Sequence, residues 1–285
     1  MGIALALFSA MSYGTSDVLG GLAARRLSPV RVALIGQVGA LCVTGLIMLI
    51  STDELPSAAD LAWGACSGVG TGLGMAFLFR GISRGAMSVV VPVSAVGGVA
   101  LPVVVGAVVL GETPPWLTWV GVLIALPALW LISSKPREPV SAARGPVLDG
   151  LAASGGIALQ YLCLAQAGTH AGLWPILSGR IGAIATVVLA AATFMREPPT
   201  TRDRAAASWT ALALSVAAGA LAATALGAYL FALRTELITV AVVISSLYPV
   251  VPVAVGRVIL GERLELPQGL GIAAALVSTV LIVIS

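Results

Sequence analysis

The chain has 285 residues, of which 59% are hydrophobic and 9% charged, with a formal net charge of +3; its mean hydropathy is +1.06. A soluble domain carries about 25% charged residues, so this composition places the chain in a lipid bilayer. The cations are spread through short connections, which argues against a nucleic-acid partner, and the three cysteines, Cys42, Cys66 and Cys163, lie in apolar runs and are expected to pack without forming a disulfide framework.

A membrane helix needs about 20 largely apolar residues. Such runs fall at 2–23, 30–50, 58–80, 86–110, 114–133, 147–168, 173–195, 206–233, 237–260 and 266–285. No Lys or Arg precedes the first run, so a cleaved signal peptide is not expected. The longest polar stretch, "SSKPREPVSAARGP" from Ser133 to Pro146, carries prolines that discourage helix and marks a seam. The expected organisation is therefore residues 1–133, a linker over 134–146, and residues 147–285.

The first span reads "SYGTSDVLGG" from Ser12 to Gly21 and places Tyr13 and Asp17 four residues apart, on one helical face, with Ser16 beside them. A carboxylate inside a span costs roughly 2.5–3.5 kcal/mol on insertion scales, so Asp17 is expected to meet a wet cavity or a cation such as Arg25 or Arg26. Gln37 lies deep in the second span. Thr71 sits in "GVGTGLG" on the third, where no P-loop lysine follows and close helix packing is the better account of the glycines. Later spans add Gln160 and Tyr161, then Arg180, then Tyr229, and in the ninth Ser245 and Tyr248. Tyrosines at such depth call for hydrogen-bond partners, from a ligand or from other helices. The six tryptophans, Trp63, Trp116, Trp119, Trp130, Trp174 and Trp209, fall near span ends, as interfacial anchors do. Arg180 is one and a half turns into its span, where it can recognise an anion or be satisfied by helix-end carbonyls; its aligned position in the first half is Leu34.

The halves resemble each other. Pro102 and the Leu110–Glu112 "LGE" recur as Pro252 and Leu260–Glu262, and Arg84 recurs as Arg234, each 150 positions later. A one-residue slip aligns "MSVVVPVS" at Met87 with "ITVAVVIS" at Ile238. Five spans per half is an odd number, so the expected fold is all-α, with ten transmembrane helices in two inverted five-helix repeats. In each "LGE" the Gly can close one helix and the Glu can favour the positive end of the next, a structural role.

"YGTSD" in the first span, the doubled "P…LGE" and "SSLYPVVPV" from Ser245 resemble the EamA-type ten-helix members of the drug/metabolite transporter superfamily. In the first half "SAVGGVALP" from Ser94 replaces the Leu-Tyr-Pro of the second, so the two halves are not expected to line a cavity identically. The resemblance implies a secondary transporter, an exporter of small organic metabolites or drugs, working by alternating access in the plasma or inner membrane. It also implies a central substrate, and the polar residues of the spans make Tyr13, Asp17, Gln37, Thr71, Gln160, Tyr161, Arg180, Tyr229, Ser245 and Tyr248 the candidate lining. Expected partners are the bilayer, a small-molecule substrate and protons as coupling ion, with the chain a monomer or homodimer. A channel or an assembly subunit is the alternative. Catalysis is not expected, nor is a cofactor or metal, because His170 is the single histidine and neither HExxH nor CxxC occurs. Arg25, Arg26, Arg80, Arg84, Lys135, Arg137, Arg144, Arg196, Arg202, Arg204 and Arg263 fall on one side of this topology and Arg234 on the other. The positive-inside rule then puts both termini outside.

Overall fold

Lipid offers no hydrogen bonds to a bare backbone, so apolar runs of this length close their bonds internally as helices. A computed structural model describes residues 1–24, 26–50, 56–83, 87–133, 144–193, 208–248, 250–258 and 266–284. Its helices are α1 (Gly2–Ala24), α2 (Pro29–Ile50), α3 (Ala58–Ser83), α4 (Met87–Val108), α5 (Trp116–Ser133), α6 (Arg144–Ala165), α7 (Trp174–Thr193), α8 (Trp209–Ala232), α9 (Ile238–Ser245), α10 (Val250–Val258) and α11 (Leu266–Val283). Five of them, α2, α3, α6, α7 and α8, contain stretches long and apolar enough by themselves to cross a membrane. Phe8, Leu46, Leu49, Leu123, Leu189 and Leu276 point outward from the bundle, as lipid-facing side chains do. Trp63, Trp116, Trp130 and Trp209 are exposed, whereas Trp119 packs against the core.

The ten expected spans correspond to these helices with one difference: the ninth is broken. α9 ends at Ser245, and the chain passes through Ser246, Leu247 and Tyr248 before α10 begins at Val250. Around the break the backbone uses short i→i+3 bonds, Leu247 N–H to the Ile244 carbonyl (3.2 Å), Val250 to Leu247 (3.1 Å) and Val251 to Tyr248 (3.1 Å). Pro249 has no N–H to give the Ser245 carbonyl, which removes the bond a continuous helix would place there. The helix α4, its counterpart, runs unbroken.

The halves interlock. The main packings of α3 are with α6 and α7, and those of α8 are with α1 and α2; α4 packs on α6, and α1 on α9 and α10, while α5 meets α11. Exchanging the halves maps this pattern onto itself, as a two-fold axis would. Because each half crosses an odd number of times, that axis lies in the membrane plane. Glycines set the register. A Cβ on Gly179 would meet Gly64 and Gly68 of α3, and one on Gly36 would meet Ser215 and Gly219 of α8; Gly182 on Ala65 and Gly39 on Val216 repeat the match one turn later. Gly36–Gly39 and Gly179–Gly182 are therefore counterparts, which pairs Gln37 with Arg180. The alignment of Arg180 with Leu34 is corrected by three residues, since uniformly apolar helices carry few landmarks for alignment.

Polar bonds reinforce these seams. Arg80 Nε donates to Asp149 Oδ1 at 2.8 Å, joining α3 to α6, with the guanidinium over the Phe77 ring. At the opposite end of α4, Gly111 adopts φ +69° and the Glu112 N–H returns to the Gly106 carbonyl. The Glu112 carboxylate then accepts from the Ile238 and Thr239 N–H groups and from Thr239 Oγ1 (2.7 Å). Glu112 thus caps α9, in the other half, and not the next helix in sequence. Leu260–Glu262 and Arg84 lie outside the described residues, as do Arg25, Lys135, Arg137, Arg196, Arg202, Arg204 and Arg263.

Candidate functional site

Where α1, α3 and α6 meet, three side chains form a chain of hydrogen bonds. Thr71 Oγ1 donates to Gln160 Oε1 at 2.6 Å, and Gln160 Nε2 donates to Tyr13 Oη at 3.0 Å. Both ends of the Gln160 amide are thereby fixed. Ser67, one turn before Thr71 on α3, holds the same place on α6 through its hydroxyl, which donates to the Gln160 carbonyl at 2.9 Å. The Tyr13 ring lies 5.8 Å from that of Tyr248, at the break in the ninth span. Gly14 makes this approach possible, because a Cβ there would collide with the Tyr248 carbonyl and the Val251 side chain.

Beside this chain Arg180 is 2% exposed, and its Nη1 donates to Gln37 Oε1 at 2.9 Å. Gln37 Nε2 in turn points to the Met75 sulfur at 3.6 Å. The guanidinium therefore neither reaches the membrane surface nor rests on helix-end carbonyls; its partner is its own symmetry counterpart. Residues that bond across a two-fold axis to their counterparts lie at that axis, so Gln37 and Arg180 mark the centre of the bundle. Tyr13 lies within electrostatic reach of both Arg180 and Asp17.

Asp17 is exposed, and it makes no ion pair or hydrogen bond among the described residues; Tyr13 and Tyr248 are its electrostatic neighbours. Tyr161, Tyr229 and Ser245 occupy a deeper layer, at 2%, 0% and 0% exposure. The rings of Tyr161 and Tyr229 meet edge to face at 4.8 Å, the Tyr229 hydroxyl donates to the Tyr161 carbonyl (3.4 Å), and Ser245 Oγ donates to the Ala6 carbonyl (3.4 Å). Ser246, at the break, is a polar neighbour of the Tyr161 hydroxyl.

The structure thus joins Tyr13, Thr71, Gln160 and Tyr248 in one group and Gln37 with Arg180 in a second beside it. Tyr161, Tyr229 and Ser245 stand behind them, and Asp17 is on the open side. Sequence reasoning missed Ser67 and Ser246. The first shares a helical face with Thr71, and the second stands in the "SSLYP" run already singled out for its tyrosine, so both signals were present.

An all-helical bundle of two interlocked five-span halves, with polar groups from both meeting at the axis, defines a two-repeat, multi-pass integral membrane protein. The chain belongs to the EamA-like transporter family, whose model matches residues 1–134 and again 150–284. It is accordingly a membrane transporter of the drug/metabolite transporter superfamily, and that family is not one of enzymes. A crystal structure at 14% identity is similar over 99% of this chain and 98% of its own, with a TM-score of 0.76, a likeness of fold alone. No curated protein matches the chain.

Proposed function

We propose that the chain is a secondary transporter that exports small organic metabolites or drugs across the plasma or inner membrane by alternating access. One observation carries this reading: polar side chains from both repeats converge at the axis beside a discontinuous helix, the arrangement that places substrate sites of such transporters at the bilayer midplane. Tyr13, Asp17, Gln37, Thr71, Gln160, Arg180 and Tyr248 line the substrate, and Tyr161, Tyr229 and Ser245 brace them from behind. The bilayer is its solvent, protons are the coupling ion through Asp17, and the working unit is a monomer or homodimer.

Uptake into proteoliposomes, with a panel of amino acids, sugars and cationic drugs, tests the reading. Saturable flux accelerated by substrate on the far side supports it. Flux that does not saturate identifies a channel, and no flux with any solute overturns transport. The Arg-rich loops are placed in the cytoplasm by the positive-inside rule. A reporter that works only in the cytoplasm should therefore be silent when fused after Ser285, and full activity would reverse the orientation.

A further inference from the structure

Arg180 is a full charge held away from water at the centre of the bundle. Arginine does not deprotonate in proteins, so burial cannot be relieved by neutralising it, and the desolvation penalty stands unless an opposite charge is supplied. Among the described residues no carboxylate supplies one. Asp149 is paired with Arg80, and Arg180's hydrogen bond is to the neutral amide of Gln37.

The geometry of the guanidinium narrows what is missing. Nη1 is taken by Gln37, whereas among the described residues Nε is buried with no partner and Nη2 makes no hydrogen bond. Nε and Nη2 point the same way and form one edge of the fork, the edge that binds two oxygens of a carboxylate or phosphate side by side. Tyr13 adds a further donor nearby. Its oxygen accepts from Gln160 Nε2, so its own proton is left to give. The first half presents an amide at the position where the second presents this cation, and the pair is therefore directional.

We propose that the Nε–Nη2 edge of Arg180, with the Tyr13 hydroxyl, is a subsite for an oxyanion group on the transported molecule, and that Gln37 is a positioning residue that aims the fork. This rests on the transport reading and names the substrate class of the same site: small organic acids bearing a carboxylate or phosphate-type group. The anion completes the charge that the empty protein leaves uncompensated, so binding stabilises the fold as well as orienting the solute.

Thermal unfolding of the purified full-length chain tests the subsite without transport. The probes are benzoate, phenylphosphonate, benzamide and benzylamine at millimolar concentration. Benzoate or phenylphosphonate should raise the midpoint, the stronger of the two telling carboxylate from phosphate, while benzamide and benzylamine should not. Arg180→Gln should lose at least about tenfold in apparent anion affinity. Because that variant can fail to fold, Gln37→Glu is the second: it places a carboxylate against Nη1 in nearly the same volume. That change should raise stability in the absence of ligand and weaken the anions by at least about tenfold. No shift with either anion, equal shifts with benzamide, or unchanged anion affinity in Gln37→Glu would each overturn the subsite. Failure here is separable from failure of the transport reading. A protein that binds benzoate but moves no solute refutes transport alone. One that moves anionic solutes equally well with and without Arg180 refutes the subsite alone.

Discussion

The fourth and ninth spans occupy equivalent places in the two repeats, yet α4 is continuous and its counterpart is split into α9 and α10. Proline as such is not the reason, since Pro102 lies inside α4 without breaking it. The difference is the Tyr248–Pro249 pair, which stands where the first half has "AVGGVA". Gln37 and Arg180 differ in the same way. In its glycine crossings the protein keeps its two-fold symmetry closely, and in its chemistry it abandons it. In the transport reading proposed above the two requirements differ: opening alternately to either side favours halves that pack alike, but a two-fold symmetric site would hold an unsymmetrical solute in either of two equivalent poses. The asymmetry at these positions would select one pose.

The comparison can be broken most severely at the symmetric part. Gly68→Val and Gly219→Val should each abolish folded protein, because the facing backbones of Gly179 and Gly36 cannot yield, at a cost upward of about 3 kcal/mol. Monodisperse yield on size exclusion measures it, and normal yield from one but not the other would show that the crossings are not equivalent. At the asymmetric part, Asp17→Asn should abolish gradient-driven accumulation in proteoliposomes while leaving exchange across the membrane. Unchanged accumulation would remove protons from the mechanism. A finer cut is Tyr13→Phe, which deprives Gln160 Nε2 of its acceptor and the site of a donor. About tenfold lower apparent substrate affinity is expected, with folded yield maintained. Smallest is Glu112→Ala, which uncaps α9; a loss of about 1 kcal/mol in thermal unfolding is expected, with substrate affinity little changed.

Much of the fold could be read from the chain because lipid leaves an apolar run of 20 residues few alternatives to a helix. The odd number of spans per half then implied the inversion. What escaped were relations between distant helices. Glu112 was expected to serve the next helix, a local rule, but it reaches across 126 positions to Ile238. The partner of Arg180 was likewise invisible, since "IGQV" and "SGRI" match in register only at glycine, and only the crossing backbones show that this glycine is the common point. The break at Tyr248 left a trace as a departure between the repeats, although a split helix could not be read from a proline there, since Pro102 leaves α4 whole.

The crosswise packing of α3 and α8 bears on how the molecule is made. During synthesis α3 enters the bilayer with its glycine face ready, but α6 and α7, which must cover it, are still unmade. Insertion and assembly are thus separated in time, and the first five helices wait in lipid before most of their packing partners exist. The two fragments obtained by interrupting the chain between Ser133 and Arg144 should each be unstable alone and recover a working transporter when made together. The helices that the ribosome delivers in succession are not the ones that pack most closely in the finished protein.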